Sequence, residues 1–70
     1  MNDKQRKAHI LAVLSKHGDE LQRIEKSKAE EVIGRSVRTF SRAGLRPLPG
    51  LKSHYRIHDV AECAIEMGWA

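Results

Sequence analysis

The chain of 70 residues contains a single cysteine, Cys63, so no disulfide can form within it. That suits a reducing cytoplasm, and a lone thiol in a helical apolar pattern reads as a small buried hydrophobe rather than a nucleophile. Its only aromatics are Phe40, Tyr55 and Trp69, too few for the stacking platform on which single-strand binders hold bases. No apolar run approaches the roughly 18 residues of a membrane span, and the first residues lack the apolar core of a signal peptide. A soluble cytoplasmic protein is expected. The most informative absence is local: no Asp or Glu occurs between Arg35 and His58.

Within that acid-free stretch stand Arg35, Arg38, Arg42, Arg46, Lys52 and Arg56. The rest of the chain holds seven basic and nine acidic residues, so a mildly acidic body carries one strongly basic segment. Such asymmetry is the electrostatic footprint of a nucleic-acid binder. The plain alternative is a solvated basic surface, the ordinary fate of charge runs.

A chain this short makes one domain of marginal stability, since about 60% burial is all its size permits. Residues 2–17 read as an amphipathic helix, with Asn2 and Gln5 forming a capping box and Ile10, Val13, Leu14 and His17 on one face. Gly18 ends or interrupts it. Asp19 is a suitable cap for a short continuation in which Leu21 and Ile24 extend the apolar stripe, so one kinked helix and two helices both fit residues 1–26. Ser27 to Glu30 is a second capping box, opening a helix with Ala29, Val32 and Ile33 inward and Gly34 in the left-handed closing position.

Ser36 then caps a further helix, from Val37 to Ala43, with Val37 and Phe40 inward. Gly44 stops it and Leu45 packs back. Two short helices joined by a glycine-containing turn make a helix-turn-helix pattern at 27–45. Pro47 and Pro49 exclude a helix, and Pro49-Gly50 signals a turn. The arms on either side of it predict a β-hairpin over 46–58, with Lys52, His54 and Arg56 on one face and Tyr55 and Ile57 on the other. Asp59 and Glu62 predict a last box, for a helix over 59–68 with Val60, Cys63, Ala64 and Met67 inward, closed by Gly68 and edged by Trp69. The expected architecture is a mainly α single domain with a small β-hairpin.

The segments "EEVIGRSVRTFSRAGLRP" (Glu30 to Pro47) and "YRIHDVAECA" (Tyr55 to Ala64) resemble the winged helix-turn-helix DNA-binding domain of MerR-like regulators and small phage or plasmid excisionases. The resemblance covers about half the chain. It implies that Arg38-Thr39 open a recognition helix, that Gly44-Leu45 lead into a wing closed by Tyr55-Arg56, and that Asp59-Val60 start the following helix. The Arg38 helix would then enter a major groove while Arg56 and the wing tip hold phosphates. Residues 1–26 precede the matching part and no coiled coil follows it. That favours a stand-alone repressor-like or architectural protein, associated with the nucleoid, over a ligand-sensing regulator.

Arginine suits this work because its planar fork donates in parallel to phosphate oxygens or to guanine O6 and N7. Arg38 and Arg42 are four apart and share a face. Thr39 offers a hydroxyl and a methyl, Arg35 in the turn a phosphate clamp, and Lys52, Ser53, His54 and Arg56 the lining of the wing. Ser36 has a competing task as a helix cap, and Lys52 as an ordinary loop lysine. Tyr55 reads as core, and Lys4, Arg6 and Lys7 as a solvated helix face.

A metal site does not fit: His54 and His58 do not share a helix, and one cysteine leaves no closed zinc set. The acids sit at caps or exposed faces, and no phosphate loop or nucleophile elbow is present, so neither enzyme nor cofactor is expected. The expected partner is double-stranded DNA, bound by a dimer, by cooperative assembly or with a larger protein. The competing function is a protein-interaction module whose basic face docks an acidic partner.

Overall fold

The computed structural model describes residues 2–69. In chain order these form α1 (Asp3–His17), β1 (Arg23–Glu25), α2 (Lys26–Ile33), α3 (Val37–Arg42), β2 (His54–Arg56) and α4 (Ile57–Met67). The architecture is mainly helical, with one two-stranded antiparallel sheet. Among the described residues no helix is long and apolar enough to cross a membrane.

The start of α1 is the expected box. Asn2 Oδ1 accepts from the Gln5 amide at 2.9 Å, and Gln5 Oε1 accepts from the Asn2 amide at 3.3 Å, which satisfies two amides the helix cannot pair itself. Ile10 and Leu14 are buried, but His17, expected on the same face, is exposed. Gly18 ends the helix in extended backbone that any residue adopts. Glycine is needed there for a different reason: a Cβ would strike Ile57 Cδ1 and sit 2.9 Å from the Arg23 carbonyl oxygen. The end of α1 therefore lies directly against the start of α4.

Residues 19–26 do not continue the helix. Asp19 caps a turn instead, its Oδ1 accepting from the Leu21 and Arg23 amides, each at 3.0 Å. Asp and Asn have this choice because their short side chains can bond their own backbone a few residues on. Gln22 occupies the left-handed region at φ 58°. It is tied to α4 twice, by the Ile57 amide donating to its carbonyl at 3.0 Å and by His58 Nε2 donating to its Oε1 at 2.9 Å. Leu21, expected in the apolar stripe, is 66% exposed, whereas Ile24 is fully buried. What decides this is pairing: β2 recruits Arg23–Glu25 as its antiparallel partner, with Arg23 opposite Arg56, Ile24 opposite Tyr55 and Glu25 opposite His54.

The same pairing corrects the predicted hairpin and two predicted caps. β2 falls where a strand was expected, but its ladder partner precedes α2. The turn at Pro49-Gly50 does form, closed by a bridge between Leu48 and Leu51. Because each strand runs straight into a helix, α2 starts at Lys26 and α4 at Ile57, and neither has a side-chain cap. The Ser27–Glu30 and Asp59–Glu62 boxes are thus displaced into the first turns. Asp59 there is still favourable, since the N-terminal end of a helix carries positive partial charge.

One core cluster joins all these elements, with Leu14, Ile24, Phe40, Tyr55, Ile57 and Val60 its largest fully enclosed side chains. Phe40 meets Tyr55 edge to face at 5.7 Å between centroids and lies beside Trp69 at 5.6 Å, geometries that add to the value of the buried area alone. Cys63 is buried among them, as expected. Met67 is 51% exposed rather than inward, because α4 turns its last residue past the edge of that cluster.

Candidate nucleic-acid interface

The basic segment rests on α3, a helix of only six residues that tertiary contacts must hold in place. Phe40 anchors it from below, and the Leu45 amide donates back to the Phe40 carbonyl at 3.0 Å. At its start, Ser36 Oγ accepts from the Thr39 amide at 3.3 Å and lies 3.1 Å from Thr39 Oγ1. Glu30, reaching across from α2, accepts from the Val37 amide at 2.6 Å. Arg38 and Arg42 are left exposed on the outer side, and Arg35 is exposed in the turn ahead. Of the candidate residues here, Ser36 and Thr39 spend their hydroxyls on the helix start, while the three arginines are unencumbered.

The second part is a double turn fastened to β2. Leu51 N–H donates to Leu48 at 3.0 Å, His54 N–H to Leu51 at 3.2 Å, and Leu48 N–H to His54 at 3.0 Å. Gly50, at φ 76°, occupies the position that a turn with proline before it reserves for glycine. Lys52 and Ser53 are exposed in the second turn. The Ser53 hydroxyl pairs with His54 Nδ1 at 2.9 Å. His54 and Arg56 share the outer side of β2, as expected, with Tyr55 buried on the other. Across the ladder His54 faces Glu25 and Arg56 faces Arg23. Like charges so opposed are unfavourable, but Asp19 holds the Arg23 guanidinium at 2.8 and 2.9 Å, so Arg56 faces a neutralised pair.

Electrostatically the segment stands apart. The ion pairs among the described residues join Arg6 to Asp3, Arg23 to Asp19 and Lys28 to Glu31. None involves Arg35, Arg38, Arg42, Arg46, Lys52 or Arg56. Arg46 differs from the others in lining a shallow groove of about 330 Å³ together with Asp59, Glu62 and Glu66. Compared with protein-family models, curated proteins and solved structures, the chain matches none of them. The site therefore has to be read from its own chemistry.

Burial pushes the Cys63 thiol up, with the Glu66 charge adding to it, which keeps it protonated and a poor nucleophile. Burial, then the nearby Glu30 charge, pushes the Tyr55 hydroxyl up. Hydrogen bonds from Arg23 hold the Asp19 carboxyl below its ordinary range. No three His, Cys, Asp or Glu side chains among the described residues are placed to hold a metal ion. His54 and His58, the nearest candidates in sequence, bond Ser53 and Gln22 instead.

Sequence reasoning missed three supporting residues. Asp19 reads as the cap of a short helix that would contain Arg23, and the alternation of Arg23, Ile24 and Glu25 is too short to register as a strand. Glu30 reads as the local partner of Ser27 in a capping box; its bond to Val37, seven residues on, has no sequence signature.

Proposed function

We propose that this protein binds duplex DNA as a small winged helix-turn-helix protein. In this reading α2, the turn at 34–36 and α3 are the helix-turn-helix, the double turn with β2 is the wing, and Arg38 and Arg42 reach base edges from α3. Arg35, Lys52 and Arg56 hold phosphates. His54 and Ser53 line the wing, and Ser36 and Thr39 act mainly by shaping the helix start. A role in transcription or in site-specific recombination, of the kind small mobile-element regulators perform, follows from the resemblance above.

The observation that carries this reading is the set of exposed cations without an ion-pair partner, on a segment whose opposite side is fastened by Phe40 and Tyr55. Free guanidinium groups are what phosphate and guanine demand, whereas cations meant only for solubility are usually interspersed with acids. The carboxylate of Glu30 at the start of α3 also argues that phosphates are met by side chains rather than by that helix end. With extents of 35 × 27 × 18 Å, one copy covers no more than about one turn of duplex, roughly 34–36 Å. A second copy or a larger partner would then supply the rest of the specificity.

The test is fluorescence anisotropy of a labelled duplex at two salt concentrations. Three phosphate contacts, from Arg35, Lys52 and Arg56, give a slope of log K against log salt of about −2.7, so binding weakens about 40-fold between about 50 and 200 mM salt. Arg56→Ala should weaken binding to all sequences alike and flatten the slope by about one, whereas Arg38→Ala should relax sequence preference. Absence of binding at the lower salt, or binding indifferent to salt, would sink the reading. A basic face that captures an acidic protein partner would then be the alternative to pursue.

A further inference from the structure

We infer that Glu30 is a positioning residue for the DNA-facing helix, acting through its oxygen on the Val37 amide rather than through its charge. The inference rests on the DNA reading above and deepens it. α3 has six residues and cannot hold its own direction. Phe40 fixes its middle to the core, and Ala43 and Leu45 pack at its far end, while its start carries no fully buried side chain. The remaining tie at its start that reaches another element is Glu30 Oε2, accepting from the first amide of the helix at 2.6 Å. Ser36 caps the same end, but from the turn itself, so it moves with α3 and cannot set the helix against α2.

At 2.6 Å the bond is short for an amide donor, and one acceptor oxygen on the first amide of the helix is what fixes its start. Glu30 is half-buried on α2, whose neighbour Ala29 is fully enclosed, so its backbone is fixed in the core. It thereby transmits the position of α2 to Arg38, the residue next to Val37. Its charge works in the opposite sense: a carboxylate beside a phosphate-binding face repels the ligand. An acid kept there against the electrostatics of the site is explained by what its oxygen holds.

These two effects can be separated by substitution. Glu30→Gln keeps an acceptor oxygen at the same reach and removes the charge. Glu30→Asp keeps the charge and withdraws the oxygen by one methylene, and Glu30→Ala removes both. Positioning matters for base contacts, whereas binding to an unrelated duplex follows charge.

The experiment selects a preferred duplex from a randomised pool with the wild-type chain, then measures each variant on that duplex and on a scrambled one. Thermal unfolding establishes which variants are folded. The expected result is that Glu30→Gln retains the wild-type preference and binds the scrambled duplex at least as tightly. Glu30→Asp should lose up to about tenfold in preference, the size of one hydrogen bond, without weaker binding to the scrambled duplex. Glu30→Ala, where it folds, should match Glu30→Asp in preference. Equal preference for Glu30→Asp and Glu30→Gln would overturn the inference while leaving DNA binding intact. Failure of the wild type to bind or enrich any duplex would overturn the DNA reading, and the inference with it.

Discussion

Replacing Gly18 by alanine tests whether the junction of α1 and α4 is as close as the geometry states. Two effects compete. Alanine narrows the unfolded ensemble, and since Gly18 has an ordinary extended backbone this alone would stabilise by about 0.4–1 kcal/mol. Against it, the new Cβ would strike Ile57 Cδ1 and sit 2.9 Å from the Arg23 carbonyl oxygen. Neither neighbour yields freely: Ile57 is fully buried, and the Arg23 oxygen accepts from the Asp19 amide at 2.9 Å. Overpacking of this kind costs about 1–3 kcal/mol, so the steric effect wins, with a net loss of about 1–2 kcal/mol. For a domain of this size that lowers Tm by roughly 5–15 °C, read by circular dichroism on heating. Ile57→Val, which deletes the struck methyl, should cost about 0.5–1.5 kcal/mol by itself. It should cost about 1 kcal/mol less in the Gly18→Ala background. Losses that simply add to within about 0.5 kcal/mol would refute the contact, and a Tm unchanged or raised by Gly18→Ala would refute the argument for glycine.

Two further outcomes follow from the turn ahead of β1. Because the folded Asp19 carboxyl is held below its ordinary value of 3.8, the unfolded chain takes up its proton more readily. The stabilisation is therefore complete above that value and lost as pH falls through the lower folded one. In urea titrations the gap between wild type and Asp19→Asn should narrow from neutral pH to pH of about 3, and a gap that stays constant would contradict the assignment. Leu21→Ser should leave stability within about 0.5 kcal/mol of wild type, while Ile24→Ala should lose about 2–5 kcal/mol. A loss at Leu21→Ser as large as that at Ile24→Ala would instead favour a helical stripe through residues 19–25.

The parts of this fold that could be read from sequence are those decided locally. The Asn2 box, the Ser36 cap, the left-handed Gly34 and the turn at Pro49-Gly50 each depend on residues a few positions apart, and all appear where the local rules put them. Apart from His17 and Met67, which are exposed at helix ends, the errors share one origin, the pairing of β1 with β2. Nothing in Arg23–Glu25 is long enough to announce a strand, and Asp19 is as good a cap as it is a turn former, so its neighbourhood reads as helix until a partner some thirty residues away is known. Once that ladder exists, α2 and α4 follow directly from its strands and the Ser27 and Asp59 caps have no helix end to serve. The basic surface was legible because charge needs no partner to be seen: Arg35, Arg38, Arg42, Lys52 and Arg56 are all exposed. Its buttress, Glu30, was not, since a carboxylate seven residues from the amide it caps leaves no pattern.

The β1–β2 ladder also makes residues 26–53 a loop fastened at both ends to the same three-residue rungs. Closing a loop grows costlier only slowly with its length, by about 0.6 kcal/mol for each doubling. Insertions or deletions in the turns between Arg46 and Ser53 therefore disturb the frame far less than their share of so short a chain suggests. The frame would tolerate a descendant with a longer or differently charged tip, with α1, the sheet and α4 kept as they are. A lineage built on it could change the shape and charge of one surface by editing one closed segment.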